Sequence, residues 1–235
     1  MAAVHLSDYR PAPFLLERTD LKVQLHASHA LVEARLTFLP NPQAPASGKQ
    51  ALELMGVDLK LEDLRLDGSP LAADSFELQS DRLLLTAPPQ RPFVLESRVR
   101  ITPHTNTTLE GLYVSGGLFT TQCEPVGFRR ITFHPDRPDL LSRFRVRIEA
   151  DRSSCPVLLS NGNGIEAGPL PDGRHYAVWD DPFPKPSYLF ALVAGDLEEV
   201  RGSFITASGR PVALRLHVEP GDAPYTAHAL ASLQR

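Results

Sequence analysis

A two-residue alternation of apolar and polar side chains returns throughout this 235-residue chain and constrains its fold more than any other feature. Val32, Ala34, Leu36 and Phe38 face one way while Glu33, Arg35 and Thr37 face the other. An extended strand puts successive side chains on opposite faces, so such a set buries one side and wets the other. The same pattern runs through Leu52-Glu53-Leu54 with Val57-Asp58-Leu59-Lys60-Leu61, and through residues 93–101, 144–148 and 214–218. Gly, Pro, Asn and Asp separate these runs, which predicts a mostly β chain, a sandwich or saddle of short antiparallel strands. The 22 prolines suit loops and strand ends, because proline cannot donate to a central ladder. Hairpin turns are expected at Asp67-Gly68, Asp172-Gly173 and Ser208-Gly209, and a longer surface loop over residues 40–48.

Only the last stretch reads as a helix. Asp222 can cap it, Pro224 can sit in its first turn, and Ala227, Ala229, Leu230, Ala231 and Leu233 favour it. No closing Gly, Asn or Pro follows at Leu233-Gln234-Arg235. The chain is therefore expected either to be cut inside an element or to end in a frayed terminus.

Hydrophobic residues at 42% and charged residues at 22% are ordinary globular usage, which argues against a disordered or fibrous chain. The net charge of -4 comes without a block of Lys and Arg, so nucleic acid is not an expected partner. Residues 1–10 lack a charged head followed by a long apolar run, so neither a secretory signal nor a membrane anchor is expected and the cytoplasm is the expected compartment. Two cysteines, Cys123 and Cys155, do not make a disulfide framework and are read as free thiols.

Several catalytic arrangements can be weighed from the residues. A zinc peptidase helix needs two His four apart with a Glu between them. None of the eight histidines forms that pair. His26 and His29 come nearest, in a stretch that reads as strand and would point them to opposite faces, as surface residues. No Gly-x-Ser-x-Gly elbow is present. Cys123 is a candidate nucleophile without an evident activating base, which favours a packed thiol. Ser160-Asn161-Gly162-Asn163-Gly164 lacks the Lys-Ser/Thr of a phosphate loop and reads as a turn.

Four segments carry a resemblance to a known family. Residues 110–125, closing on Thr121-Gln122-Cys123-Glu124-Pro125, resemble the substrate-facing loop of aminopeptidase N enzymes, whose core is Thr-Gln-x-Glu or Thr-Gln-x-Gln. Arg129-Arg130 followed by Pro135-Asp136-Arg137-Pro138-Asp139 is similar to the family's Arg-Arg and Asp-x-Pro stretch. Ser160-Asn161-Gly162-Asn163 is similar to a turn of the bacterial branch, and residues 181–196 to the strand that closes the first domain.

The resemblance implies the amino-terminal part of a bacterial zinc metallo-aminopeptidase of the gluzincin type, an alanyl or broad-specificity hydrolase. Residues 1–196 would form its saddle-shaped β domain. Residues 197–235 would open a thermolysin-like catalytic domain, as a β ribbon and a truncated helix. The zinc motif would lie beyond residue 235, so this chain is expected to hold no zinc and to be inactive alone. Gln122 and Glu124 match the positions that reach the cleft. The carboxylate would receive the free α-ammonium of a peptide substrate, and the amide would line the first side-chain pocket. Without the resemblance both would be solvated surface residues.

Two further expectations follow from the resemblance. Glu124-Pro125 is a candidate cis bond, because the family's loop turns sharply there. The face that meets the chain's own catalytic domain should be apolar when uncovered, and so prone to self-association. The rival reading is a stand-alone β-sandwich module that binds peptides or partners without catalysis.

Overall fold

The longest alternating runs become the longest strands. The computed structural model describes residues 5, 7, 9–44 and 50–234, and seventeen strands and one α-helix form among them. Eight strands make the main sheet, in the spatial order β13 (Asn163–Pro169), β14 (Arg174–Lys185), β11 (Ser142–Asp151), β1 (Phe14–Leu25), β2 (Ala30–Pro40), β8 (Phe93–Ile101), β4 (Lys60–Leu66) and β5 (Ser69–Pro70). A four-stranded sheet runs β12 (Val157–Ser160), β15 (Leu192–Gly195), β10 (Leu118–Gln122), β9 (Gly111–Ser115). A three-stranded sheet runs β3 (Leu52–Met55), β7 (Arg82–Leu85), β6 (Phe76–Leu78). The ribbon of β16 (Glu198–Ile205) and β17 (Pro211–Val218) is a sheet of its own, followed by α1 (Ala227–Leu233).

The expected antiparallel order holds with one exception, β1 against β11, which run parallel with Leu21 opposite Val146. Residues 26–141 separate these two strands. A connection that long imposes no hairpin return, so the chain is free to re-enter the sheet in either direction.

One face of the main sheet is apolar. Leu21, Val23 and Leu25 of β1, Val32, Leu36 and Phe38 of β2, Phe93, Leu95 and Val99 of β8, and Phe144, Val146 and Ile148 of β11 belong to a single buried cluster. Leu52 and Leu54 of β3, Leu83 and Leu85 of β7, and Phe119, Leu158 and Leu192 of the four-stranded sheet complete it. Each such side chain contributes about 1.5–3 kcal/mol when taken out of water. A bulge between Leu16 and Arg18 changes the parity of β1, so that Leu16 and Thr19 both face inward.

The outer face carries charge in ordered rows. Across the register, Asp180 lies opposite Arg145, Arg145 opposite Asp20, Asp20 opposite Arg35, Arg35 opposite Glu96 and Glu96 opposite Arg65. The signs alternate strand by strand. In the neighbouring row two cations, Lys22 and Arg147, stand side by side, and both reach Glu149, at 3.7 and 2.6 Å. Burial opposes the charge on Glu149, but hydrogen bonds from Arg147 and Gln24 outweigh it and hold its carboxyl below the ordinary value.

The expected hairpin turns form. Asp67-Gly68 and Asp172-Gly173 take φ of 50°, 81°, 59° and 73°, and Gly209 takes 78°. Three expectations are corrected. Residues 57–59 are not strand, because Asp58 at φ 56° turns the chain and β4 begins only at Lys60. His26 and His29 are not on opposite faces of a strand. They turn the corner between β1 and β2, where the His26 N–H donates to the His29 carbonyl at 2.9 Å and the rings stack 4.7 Å apart. Asp222 does not cap the α-helix: it precedes a 3-10 turn, Ala223–Tyr225, and Thr226 stands at the start of α1. The loop expected over 40–48 leaves β2 at Pro40, and its residues 45–48 lie outside the described ones.

Arg35 stands between two carboxylates in the charged row. Arg35→Glu therefore replaces the ion pair with Glu96 (3.3 Å) by a like-charge pair and sets a second carboxylate opposite Asp20, and is expected to destabilise the chain by about 1–2 kcal/mol at low salt. The loss should shrink in 1 M NaCl, where charges are screened within about 3 Å. Urea midpoints at the two salt concentrations check this.

Candidate functional site

The segment that follows β10 begins with a side chain the core requires. Cys123 is buried between two exposed neighbours, Gln122 and Glu124. The chain then turns: the candidate bond Glu124-Pro125 is cis, and the Gly127 N–H donates to the Cys123 carbonyl at 2.7 Å. Gly127 is needed for closeness, since a Cβ there would lie 2.4 Å from the Gln122 carbonyl oxygen. Gln122 donates through Nε2 to the Glu124 carbonyl at 3.1 Å, which ties the two candidate residues together across the turn. Among the described residues, no hydrogen bond or ion pair engages the Glu124 carboxylate.

Both ends of this turn are anchored. On the β10 side, Thr121 Oγ1 accepts from the Leu192 N–H (2.8 Å) and donates to the Leu192 carbonyl (3.2 Å). On the other side, Phe128 is fully buried against the rings of His134, Phe144 and Phe190, at 4.7, 5.9 and 5.1 Å. Arg129 Nε donates to Asp136 Oδ2 at 2.7 Å, and Ser187 Oγ donates to Asp136 Oδ1, also at 2.7 Å. The Asp136 side chain is 1% exposed, so each of its oxygens is matched where water cannot reach. Arg130 pairs with Asp58 and with Glu110 Oε2, the latter at 3.1 Å. The Arg-Arg and Pro-Asp segments singled out in the sequence are thus the foundation beneath the turn.

His134 lies within the same foundation. Its Nδ1 accepts from the Asp136 N–H at 3.1 Å, and its backbone pairs with Met55 in both directions at 2.8 and 3.1 Å. Complete burial lowers its pKa to about 4, with Asp136 opposing weakly, so the ring is neutral at pH 7. Thr19 and Ser142, joined at 2.8 Å, close the cluster, with Thr19 Oγ1 3.5 Å from His134 Nε2. The sequence reading missed these residues. One signal was there: Thr19 and Ser142 stand at the inward parity of Leu21 and Phe144, where an isolated polar residue needs a buried partner.

Cys123 is a packed thiol. Burial pushes its pKa up to about 12, and Asp136 adds to the effect, so the nucleophilic thiolate is disfavoured. Ser160-Asn161-Gly162-Asn163 forms the expected turn, with Gly162 at φ 85° and the Asn161 side chain bridging to Ala191 N (2.7 Å) and to Leu189 O (3.2 Å). Among the described residues no group of three or more His, Cys, Asp or Glu side chains could hold a metal ion, so these residues do not fit a zinc site. No described helix is long and apolar enough to cross a membrane.

Comparison with known proteins gives a consistent picture. The family model for the peptidase M1 N-terminal domain matches residues 50–189. Aminopeptidase N of Caulobacter vibrioides is 52% identical over 99% of this chain, and that of Escherichia coli 42% identical over 99%. The chain spans 26% of the length of each. Among solved structures, an aminopeptidase A of Legionella pneumophila in complex with aspartic acid matches with a TM-score of 0.93 at 36% identity, covering 97% of this chain and 27% of that one. An M1 zinc metallopeptidase of Deinococcus radiodurans shares the fold, with a TM-score of 0.73 at 18% identity over 90% of this chain and 49% of that one.

The buried His134 makes stability depend on pH. Its folded pKa of about 4 lies below the ordinary 6.5, so between these values the unfolded chain binds a proton that the folded chain refuses. Stability should hold above pH 6.5 and fall as pH drops, by about 2 kcal/mol between pH 7 and 5 from this group. In His134→Asn, whose Oδ1 can accept the Asp136 N–H, that slope should disappear. Urea unfolding of both proteins at pH 7 and 5 measures it; equal slopes would contradict the assignment.

Proposed function

The chain belongs to the peptidase M1 N-terminal domain family, and on that footing we propose that it serves as the first domain of a longer zinc aminopeptidase and presents Gln122 and Glu124 to the free amine of a peptide substrate. The observation that carries this reading is the exposed Glu124 carboxylate, without a partner of its own, on a turn whose two ends are anchored in the core. A free α-ammonium is a single positive charge with three donors, and a fixed carboxylate is the direct means of recognising it. Gln122 lies beside it with a neutral amide suited to the first side-chain pocket.

This chain's share of the chemistry is binding and orientation. In this reading zinc and its ligands belong to the catalytic domain, and the metal when bound would supply Lewis-acid chemistry there. We place the boundary after residue 196, a division supported by the ribbon of β16 and β17 being a separate sheet. The cytoplasm is the proposed compartment, with peptides and the protein's own catalytic domain as partners and no role for nucleic acid or membrane.

Phe183, Ile205 and Tyr225 are 76%, 60% and 82% exposed, which suits surfaces that a neighbouring domain covers. Residues 1–235 produced alone should therefore self-associate, seen as a concentration-dependent sedimentation coefficient. A strict monomer at high concentration would count against such a face.

In the full-length protein Glu124→Ala should lower kcat/KM on free-amine substrates by roughly 10- to 100-fold, the equivalent of losing a charge-assisted hydrogen bond of about 1.5–3 kcal/mol. Much of the loss should appear in KM, with zinc content unchanged. Gln122→Ala should be milder. An α-acetylated substrate, which presents no ammonium, should not distinguish Glu124→Ala from the parent. Retention of the parent kcat/KM on free-amine substrates would return Glu124 to the status of a surface carboxylate.

A further inference from the structure

Both ends of the turn 122–126 are fastened to one stretch of chain, residues 187–192. Thr121, just before the turn, exchanges two hydrogen bonds with Leu192. Arg129, just after it, is held by Asp136, whose other oxygen takes the Ser187 hydroxyl. Between those points Phe190 packs on Phe128, and Ala191 is bonded through its N–H and carbonyl to Asn161 and Ser160. The contacts form a closed ring running from β10 through Leu192, Phe190, Ser187, Asp136, Arg129 and Gly127 back to Cys123. Only the tip of the turn, 124–126, is fully outside it.

We infer that Asp136 and Ser187 are positioning residues for the substrate-facing turn: they touch no substrate, but fix the place from which Glu124 and Gln122 reach out. This rests on the substrate role proposed above for Glu124. The physical reason is directional. Among the described residues Glu124 has no partner of its own, so the reach of its carboxylate starts from where the backbone places it. The backbone after the turn is held by the buried Phe128 and by Arg129, whose carbonyl accepts from the Val57 N–H at 3.0 Å and whose guanidinium is held by Asp136. Asp136 holds the Arg129 side chain with a carboxylate shared between two donors in a dry site, where leaving either donor unmatched is costly. Asp136 is itself at φ 47°, a conformation Asp tolerates better than most residues, and its N–H is held by His134.

The test uses the full-length protein with Ser187→Ala, which removes one hydrogen bond, and Asp136→Asn, which removes the charge. Amide hydrogen exchange at Gly127, whose N–H closes the turn onto Cys123, should be at least about 5-fold faster in Ser187→Ala and faster still in Asp136→Asn, with amides of β1 and β2 unchanged. For free-amine substrates KM should rise about 3- to 10-fold in Ser187→Ala with kcat within about twofold, and the rise should largely vanish in a Glu124→Ala background, because both changes act through one carboxylate. Unchanged Gly127 exchange in both variants, or a KM penalty that multiplies in full with that of Glu124→Ala, would overturn the inference. Should Glu124→Ala alone leave KM at the parent value, the substrate reading fails, and Gly127 exchange by itself then decides whether Asp136 and Ser187 hold the turn.

Discussion

The main sheet offers one apolar face, and the rest of the chain is arranged to cover it. Leu21, Val32, Val99 and Val146 line its inner side, and Leu54, Leu83, Phe119 and Leu192 come down on them from the two smaller sheets. The pleat leaves no freedom in this, since a one-residue slip would turn Val32 and Leu36 out to water and Glu33 and Arg35 into the core. Once the inner face is committed, the outer face can only be polar. There the register sets Arg and Asp or Glu side by side, from Asp180 to Arg65. Each exposed pair is worth little, and the ordering mainly avoids repulsion among closely spaced like charges.

Covering the sheet also brings polar groups inside. The crossing from β10 to β11 must carry its backbone through the core, and Asp136, His134, Thr19 and Ser142 satisfy one another there. A buried ion pair such as Arg129 with Asp136 is poor evidence of net stability, because desolvation offsets attraction. Its effect is specificity: removing one partner strands the other, so few alternative placements of the crossing segment survive. The turn that carries Gln122 and Glu124 inherits that definition. The proposed binding groups are exposed while their support is dry, the arrangement a recognition site needs if a carboxylate is to meet an ammonium with little rearrangement of its mounting.

What could be read beforehand follows from how local each signal is. β2 and β8 were legible because strict alternation is a property of adjacent residues, and the turns at Asp67-Gly68 and Asp172-Gly173 because positive φ is paid for locally by Asp and Gly. The parallel pairing of β1 with β11 was not legible, since nothing in either strand encodes the direction of a partner so far along the chain. The bulge after Leu16, which turns Thr19 inward, depends likewise on the strand beside it. Asp136 was picked out only as part of the Pro135-Asp136-Arg137-Pro138-Asp139 resemblance, with no local sign of its burial. Its burial arises only because Arg129 and Ser187 converge on it in three dimensions. Gln122 and Glu124 were singled out through resemblance alone; by composition they are ordinary surface residues, and the fold accounts for their mounting rather than their role.

The central claim is that Glu124 receives the substrate's amine, and the most direct measurement is a crystal structure of the full-length protein with a free-amine dipeptide analogue bound in its cleft. The account predicts a Glu124 carboxylate oxygen about 2.7–2.9 Å from the ammonium nitrogen, with the turn 122–126 placed as it is here and the Asp136 bonds to Arg129 and Ser187 intact. An ammonium bound entirely by other residues, with the Glu124 carboxylate left in solvent, would contradict it.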